Sequence, residues 1–282
     1  MSEECSNNCS SCGESGCASR RDPFAKDAPN AGSDVKHMIA VISGKGGVGK
    51  SMVTALLANS FNKAGKKTAI LDADITGPSI ARMYGIHEPA GSDGNNVLPA
   101  VSAGGIKIMS INMLLEHEDD PVIWRGPVIS STVRQFWTEV AWGDVDVMLL
   151  DMPPGTGDVP LTVFQSLPIE GILVVTSPQE LVSMVVGKAV HMAQAMNVPL
   201  LGIVENMSYL ECPDCGKRLE IFGKSHLDEA AEAYGIDLTA KIPMIPSNAA
   251  LCDAGAADEL DEKLLGECSL ALYNKLKGDN EQ

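Results

Sequence analysis

The stretch Gly44-Lys45-Gly46-Gly47-Val48-Gly49-Lys50-Ser51 constrains this chain more than any other feature, because it matches the phosphate-loop pattern G-x-x-x-x-G-K-[ST]. It also sits where its mechanism needs it. Met38–Ser43, just before it, is a short apolar run rich in Ile and Val, the mark of a strand buried on both faces. Gly49–Ala64, just after it, carries Val53, Leu56, Leu57 and Phe61 at helical spacing, and Gly65 is a natural stop. Glycines let the backbone curl until its N–H groups face phosphate oxygens, and the helix N-terminus adds a positive dipole end. Lys50 is then the counter-charge for β- and γ-phosphates, and the Ser51 hydroxyl a ligand for Mg²⁺.

The rest of the chain repeats the strand-then-helix alternation. Thr68–Leu71, Val145–Leu150, Gly171–Thr176 and Pro199–Val204 read as buried strands, with one more near Ile242. Leu181–Met196 places Val182, Val185, Val186, Ala189, Met192, Ala193 and Met196 on one helical face. Short apolar strands alternating with helices predict an α/β fold, a mostly parallel sheet with helices on both faces. The Gly-rich Gly91–Gly105 region, with strand-like Ile106–Ile111, reads as an excursion or an antiparallel edge, and Asp258–Lys277 as an acidic helix. Residues 1–34, rich in Ser, Asn, Gly and Cys, form a flexible tail unless metal organises them, and 35–282 form one domain.

Charge and hydropathy then exclude whole classes. With 37 acidic against 21 basic residues, the net charge of −16 argues against non-specific nucleic-acid binding. No uncharged apolar run approaches the ~20 residues needed to cross a bilayer. Nor does a basic region followed by an apolar one open the chain, so a soluble, cytoplasmic protein is expected.

A magnesium–nucleotide site needs carboxylates at the C-terminal ends of neighbouring parallel strands. Asp72-Ala73-Asp74 and Asp151 follow predicted strands, and Asp151 opens the glycine-bearing segment Asp-Met-Pro-Pro-Gly-Thr-Gly-Asp; capping of helices or turns is the alternative use of such acids. Asn206 ends a further strand. The eight cysteines are unevenly spread: Cys5, Cys9, Cys12 and Cys17 crowd the tail, and Cys212-Pro213-Asp214-Cys215 forms a CxxC. Clustered cysteines in a reducing compartment bind metal or do redox work. The CxxC suits half of a four-cysteine site, whose other half a twofold dimer supplies. A zinc half-site and a redox pair are the competing readings. Cys252 and Cys268 read as small apolar residues, and no histidine pair has ligand spacing.

With its second lysine, Lys45, the loop resembles the deviant Walker A of the MinD/ParA/Mrp class of P-loop ATPases. Joined to DADITGPS, Trp124-Arg125-Gly126-Pro127, DMPPGTGD, and Glu205-Asn206-Met207-Ser208 leading into CPDC, it resembles the Mrp/ApbC-type iron–sulfur cluster carrier ATPases, from about Lys36 to Gly255. The resemblance implies a homodimeric P-loop NTPase that hydrolyses ATP, holds a [4Fe–4S] cluster between its protomers on Cys212 and Cys215, and passes it to apo-proteins. It further implies that Gly44 to Ser51 bind ATP, with Lys45 reaching the partner's nucleotide. By the same resemblance Asp74 orients the attacking water, Asp72 and Asp151 hold Mg²⁺ through its waters, and Asn206 reads adenine. Met52 stands where the class carries a second hydroxyl. Some members carry an N-terminal four-cysteine motif of different spacing, so Cys5, Cys9, Cys12 and Cys17 are a second candidate cluster site, with zinc or free thiols as alternatives. The rival is a MinD/ParA-type positioning ATPase with a structural zinc site. Against it, residues 258–282 hold seven acids and three lysines rather than a basic amphipathic helix. A nitrogenase-reductase type would carry its ligand cysteines singly on two loops, not as CxxC.

Overall fold

The computed structural model describes residues 26–75, 77–115, 126–155, 157–178 and 182–279. Cys5, Cys9, Cys12, Cys17, Trp124, Arg125, Thr156 and Leu181 lie outside the described residues. The first half runs β1 (Ser33–Ser43), α1 (Lys50–Lys63), β2 (Thr68–Asp72), α2 (Ile80–Met83), the short strands β3 (Gly91–Ser92), β4 (Val97–Leu98), β5 (Ala100–Val101) and β6 (Lys107–Met109), then α3 (Gly126–Thr138) and β7 (Gly143–Asp151). The second half runs α4 (Asp158–Ser166), β8 (Gly171–Thr176), α5 (Val182–Met196), β9 (Leu200–Glu205), β10 (Leu210–Glu211), β11 (Arg218–Leu219), α6 (Leu227–Tyr234), β12 (Thr239–Lys241), α7 (Pro246–Asp253) and α8 (Gly266–Asp279).

The main sheet has the order β12-β9-β8-β1-β7-β2-β6-β5, with every pair parallel except β5 with β6. Its central strands alternate their apolar side chains between two cores. Ala40, Ile42, Met148, Leu150, Ile172 and Val174 face α3, α4 and α5, whereas Ile39, Val41, Leu149, Leu173 and Val175 face α1 and α8. Burial on both faces is why these strands read as continuous apolar runs. The parallel register sets Val41 opposite Asp151 and Asp151 opposite Asp72, so both carboxylates and the phosphate loop emerge along one edge of the sheet.

Three expectations need adjustment. Residues 26–34 were assigned to the tail by composition, but Ser33 and Asp34 already pair in β1. Asp27 is also docked: Arg134 Nε donates to its carboxylate at 2.6 Å, and Trp137 Nε1 to its carbonyl at 2.8 Å. Polar anchoring of this kind leaves no apolar signal. Ile106–Ile111 contains β6, which is parallel to β2; the antiparallel edge is β5. Asp258–Lys277 is not one helix. Two 3₁₀ turns, Ala257–Glu259 and Glu262–Leu265, precede α8, and the Asp261 side chain accepts the Lys263 N–H to restart the chain after the first.

Candidate functional site

The phosphate loop takes its shape from glycine. Gly47 and Gly49 adopt φ +82° and +77°, the left-handed region where a side chain is strained. At Gly49 there is also no room, since a Cβ would meet Asn206 Nδ2 at 2.3 Å. The loop borders a cavity of about 400 Å³ lined by Lys45 to Met52, by Asp74, Gly77 and Pro154, and by Ala249, Cys252 and Asp253 of α7.

Within this cavity the polar groups converge as the motifs require. Lys50 Nζ lies 2.8 Å from Asp151 Oδ1 and 4.0 Å from Asp74 Oδ2. Ser51 Oγ donates to Asp151 Oδ2 at 2.6 Å, and Thr54 Oγ1, one turn further along α1, donates to Asp151 Oδ1 at 2.9 Å. Asp151 is fully buried. Thr54 is a residue that motif reading missed, because the pattern stops at Ser51; its i, i+4 relation to Lys50 was the available signal. Lys45 is exposed at the mouth, and the Lys45 carbonyl accepts a hydrogen bond from Ser43 Oγ at 3.0 Å.

Asp72 is also fully buried, and its oxygens are occupied differently. Oδ1 accepts from the Asp74 N–H, and Oδ2 from the Ser79 and Ile80 N–H groups and from Ser110 Oγ, at 3.1 to 3.3 Å. Asp72 therefore fixes the segment that carries Asp74. Burial, then the neighbouring Asp151 charge, push its carboxyl up to about 7, against the pull of Lys50. Two buried carboxylates side by side with one buried lysine leave excess negative charge, and hard oxygen donors of this kind fit a divalent cation such as Mg²⁺.

Asn206 is buried against the loop: its Nδ2 donates to the Val48 carbonyl at 2.9 Å, while its Oδ1 has no hydrogen-bond partner. Asn248 Nδ2 in α7 and Glu205 Oε2 are buried and unpartnered in the same way. An orphaned buried polar atom costs about 1–3 kcal/mol, so these three call for an explanation. Asn248 and Glu205 were not identified from sequence. Met52, in place of a second hydroxyl, lines the cavity, and so does the half-buried Cys252. Cys268 is a core thiol that burial pushes up to about 12.

The CxxC stands apart from this cavity, on a small two-stranded hairpin of β10 and β11 beyond Asn206. The Gly216 N–H donates to the Cys212 carbonyl at 2.8 Å, and the Cys212 N–H to the Lys217 carbonyl at 3.0 Å, which closes a tight turn. Gly216 supplies its positive φ of 68°. The backbone N–H groups of Asp214 and Cys215, and the Cys215 thiol, hold the Cys212 thiol below its ordinary pKa. Cys215 is exposed and Cys212 half-buried. No cluster of three or more His, Cys, Asp or Glu ligands exists among the described residues. The hairpin thus offers two soft ligands, one of them activated, and leaves the rest of a coordination sphere open.

The family model for the NUBPL iron-transfer P-loop NTPase matches residues 34–273. An iron-sulfur cluster carrier protein of Clostridium perfringens is 45% identical over 259 residues, covering 89% of this chain and 90% of its own. The protein of the same description from Methanocaldococcus jannaschii is 47% identical over 216 residues, with 75% and 74% covered. Among solved structures, a nucleotide-binding protein in complex with ADP from Archaeoglobus fulgidus superposes with a TM-score of 0.73 at 44% identity, covering 80% of this chain and 89% of that one. The MinD cell division protein of Aquifex aeolicus has a TM-score of 0.56 at 19% identity over 86% of this chain and 97% of its own, a likeness of fold alone.

Proposed function

The chain belongs to the NUBPL iron-transfer P-loop NTPase family, and we propose that it is an iron–sulfur cluster carrier that binds and hydrolyses ATP. It holds a [4Fe–4S] cluster as cargo between two copies of the chain and passes it to apo-proteins. One observation carries this reading. A phosphate loop whose lysine meets buried carboxylates and a cysteine pair with an open coordination sphere follow each other in one chain, with Asn206 against the loop and the hairpin just beyond it. The relatives named as carriers support it, and the positioning role is favoured by nothing beyond a shared fold.

In this mechanism the loop N–H groups and Lys50 bind the β- and γ-phosphates. Ser51 and Asp151 would hold Mg²⁺, whose chemistry is to neutralise phosphate charge and align the two terminal phosphates. Asp74, within 4.0 Å of Lys50, accepts a hydrogen bond from the attacking water. The water oxygen bonds to the γ-phosphorus, the bond to the bridging oxygen breaks, and ADP and phosphate leave. Asp72 positions the Asp74 segment through its backbone N–H groups. Lys45, exposed beside the cavity, would reach a partner's nucleotide across a dimer. Cys212 and Cys215 from each of two protomers complete a four-thiolate site.

Anaerobic reconstitution of the full-length chain with iron and sulfide tests the carrier role. A variant with Cys5, Cys9, Cys12 and Cys17 all changed to Ala isolates the hairpin. The expected result is about four irons per two chains, a broad absorption near ~400 nm, and discharge of that band by an apo-acceptor. A variant that binds a full cluster as a monomer would refute the shared site.

A further inference from the structure

The cysteine hairpin walls a second cavity, of about 690 Å³, which the nucleotide chemistry leaves unused. Ser208 and Tyr209 at the root of the hairpin line it, as do Arg218 and Leu219 of β11, Ile221 just beyond, and Lys241 of β12. The Arg218 guanidinium lies 4.3 Å from the centre of the Tyr209 ring, and Leu219 and Ile221 are 40% and 52% exposed. In the hairpin register Arg218 stands opposite Glu211, the residue before Cys212, so this wall continues into the cysteine turn. On the other side, β12 is the edge of the main sheet. The Leu238 carbonyl and the Ile242 N–H bond to β9. By the alternation of a parallel ladder, Thr239 and Lys241 therefore turn their backbone groups to the open side, where they have no backbone partner among the described residues. The Ser208 hydroxyl gives its proton to Glu205 Oε1 at 2.6 Å and so offers the cavity only lone pairs. Arg218 and Lys241 outnumber Glu220, the one acid of the lining, on a chain whose net charge is −16. Their own partners, Glu211 at 3.3 Å and Asp228 at 2.7 Å, are exposed and exchange at little cost.

An open sheet edge beside a groove with apolar anchors and a basic rim is the equipment that holds an extended peptide. Resting on the carrier reading above, we propose that this groove docks the apo-acceptor: an extended segment with acidic and apolar side chains adds beside β12 and lies along the hairpin. Cargo on Cys212 and Cys215 leaves by ligand exchange. Each exchange forms one iron–sulfur bond to an acceptor thiolate and breaks one to Cys212 or Cys215, and the proton of the incoming thiol passes to the departing sulfur. The incoming thiol has to stand within bonding distance of the cluster, and the groove is continuous with the turn that carries it. Leu219 and Ile221 anchor apolar side chains of the segment, and Arg218 and Lys241 its acids. The β12 edge holds the backbone whatever the sequence, which lets one carrier serve acceptors of different sequence.

The test follows cluster transfer from the reconstituted full-length protein to an apo-ferredoxin of the [4Fe–4S] type at rising acceptor concentration. Thr239→Pro removes one open edge donor without costing an internal ladder bond. Ile221→Asp puts a charge that repels an acidic segment where an apolar anchor stood. Thr239→Pro should raise the acceptor concentration for half-maximal transfer about three- to tenfold, the worth of one net hydrogen bond, and Ile221→Asp by at least as much. Limiting rate, iron content and ATP turnover should keep their wild-type values. Unchanged half-saturation in Ile221→Asp, which carries the test should Thr239→Pro not fold, would overturn the docking site. A folded Thr239→Pro with wild-type kinetics would overturn the strand addition. Loss of dimer or of iron from either loaded variant would also overturn the proposal, by making a second copy of the chain the occupant. A wild type that takes up no cluster, or discharges none to the acceptor, would instead overturn the carrier reading itself, and the failures are thereby distinguished.

Discussion

The phosphate cavity and the cysteine hairpin solve opposite problems with the same chain. Around the cavity, charged groups are taken out of water: Asp72 and Asp151 are fully buried, and Lys50 is 6% exposed. Their positions are set by three parallel strands in fixed register. At the hairpin the strands are two residues long, Cys215 is exposed, and the geometry comes from one local turn. A site that reacts with its own substrate can be built wholly from within. A site that must release its cargo keeps open positions and weak support. The comparison teaches that the two functions are separable by mutation.

The largest separation is expected at Lys50. Lys50→Ala removes the main counter-charge from the terminal phosphates and should lower ATP turnover by at least ~10²–10³-fold. Iron binding at the hairpin should survive, as iron content after reconstitution would show. Undiminished hydrolysis would detach the loop from the chemistry. Cys215→Ala reverses the pattern: two thiolates remain per dimer, iron content at the hairpin should fall severalfold or more, and ATP affinity should stay within about twofold because the turn contributes no residue to the lining of the phosphate-loop cavity. Co-loss of both properties in either variant would break the comparison.

The same contrast explains what the sequence revealed. The loop, Asp151 and the four central strands were legible because period and motif are local, and burial on both faces writes itself as an apolar run. The packing of Lys26–Asn30 was not, since Asp27 is held by hydrogen bonds to Arg134 and Trp137, far away in the chain. The break before α8 was hidden for another reason. Asp261 serves a cap as readily as an acidic helix face, and composition cannot tell the two apart. Asn248 looked like an ordinary residue at the start of a helix; only its burial and its missing partner single it out.

Glycine sharpens the comparison further. Gly49 and Gly216 both have positive φ, 77° and 68°, so each loses about 1–2 kcal/mol on becoming Ala. Space separates them. A Cβ at Gly216 meets nothing within 4 Å, whereas at Gly49 it strikes Asn206 Nδ2 at 2.3 Å, a group already committed to the Val48 carbonyl. Gly49→Ala should therefore lower the denaturation midpoint clearly more than Gly216→Ala, by an amount on the order of a further 1–3 kcal/mol. Equal losses in a denaturant titration would mean that the loop yields as easily as the turn.

The smallest expected effect is a pH dependence confined to the buried half. Asp72 titrates near 7 in the folded chain and near its ordinary acidic value when unfolded. Between those values the folded state binds more protons than the unfolded state, so this group makes stability fall as pH rises. The loss begins above about pH 4 and is complete once pH passes the folded value, with a slope of at most on the order of 1 kcal/mol per pH unit. Asp93, Asp144, Asp146 and Glu229 are held low by their partners and act below that window, in the opposite direction. General repulsion from the −16 charge also grows with pH, so the informative quantity is a difference. Melting temperatures of wild type and Asp72→Asn without nucleotide should converge or cross as pH is raised from 5 to 8, because only wild type loses a proton there. Adding Mg²⁺ and ATP should flatten the wild-type curve, since a cation beside Asp72 and Asp151 favours their charged forms. Cys212→Ala should leave the wild-type slope untouched, because Cys212 sits on the hairpin turn, outside the hydrogen bonds that hold Asp72. Parallel curves for wild type and Asp72→Asn would show that the buried carboxyl keeps its ordinary pKa, and that the charge strain assigned to this cavity is relieved by another route.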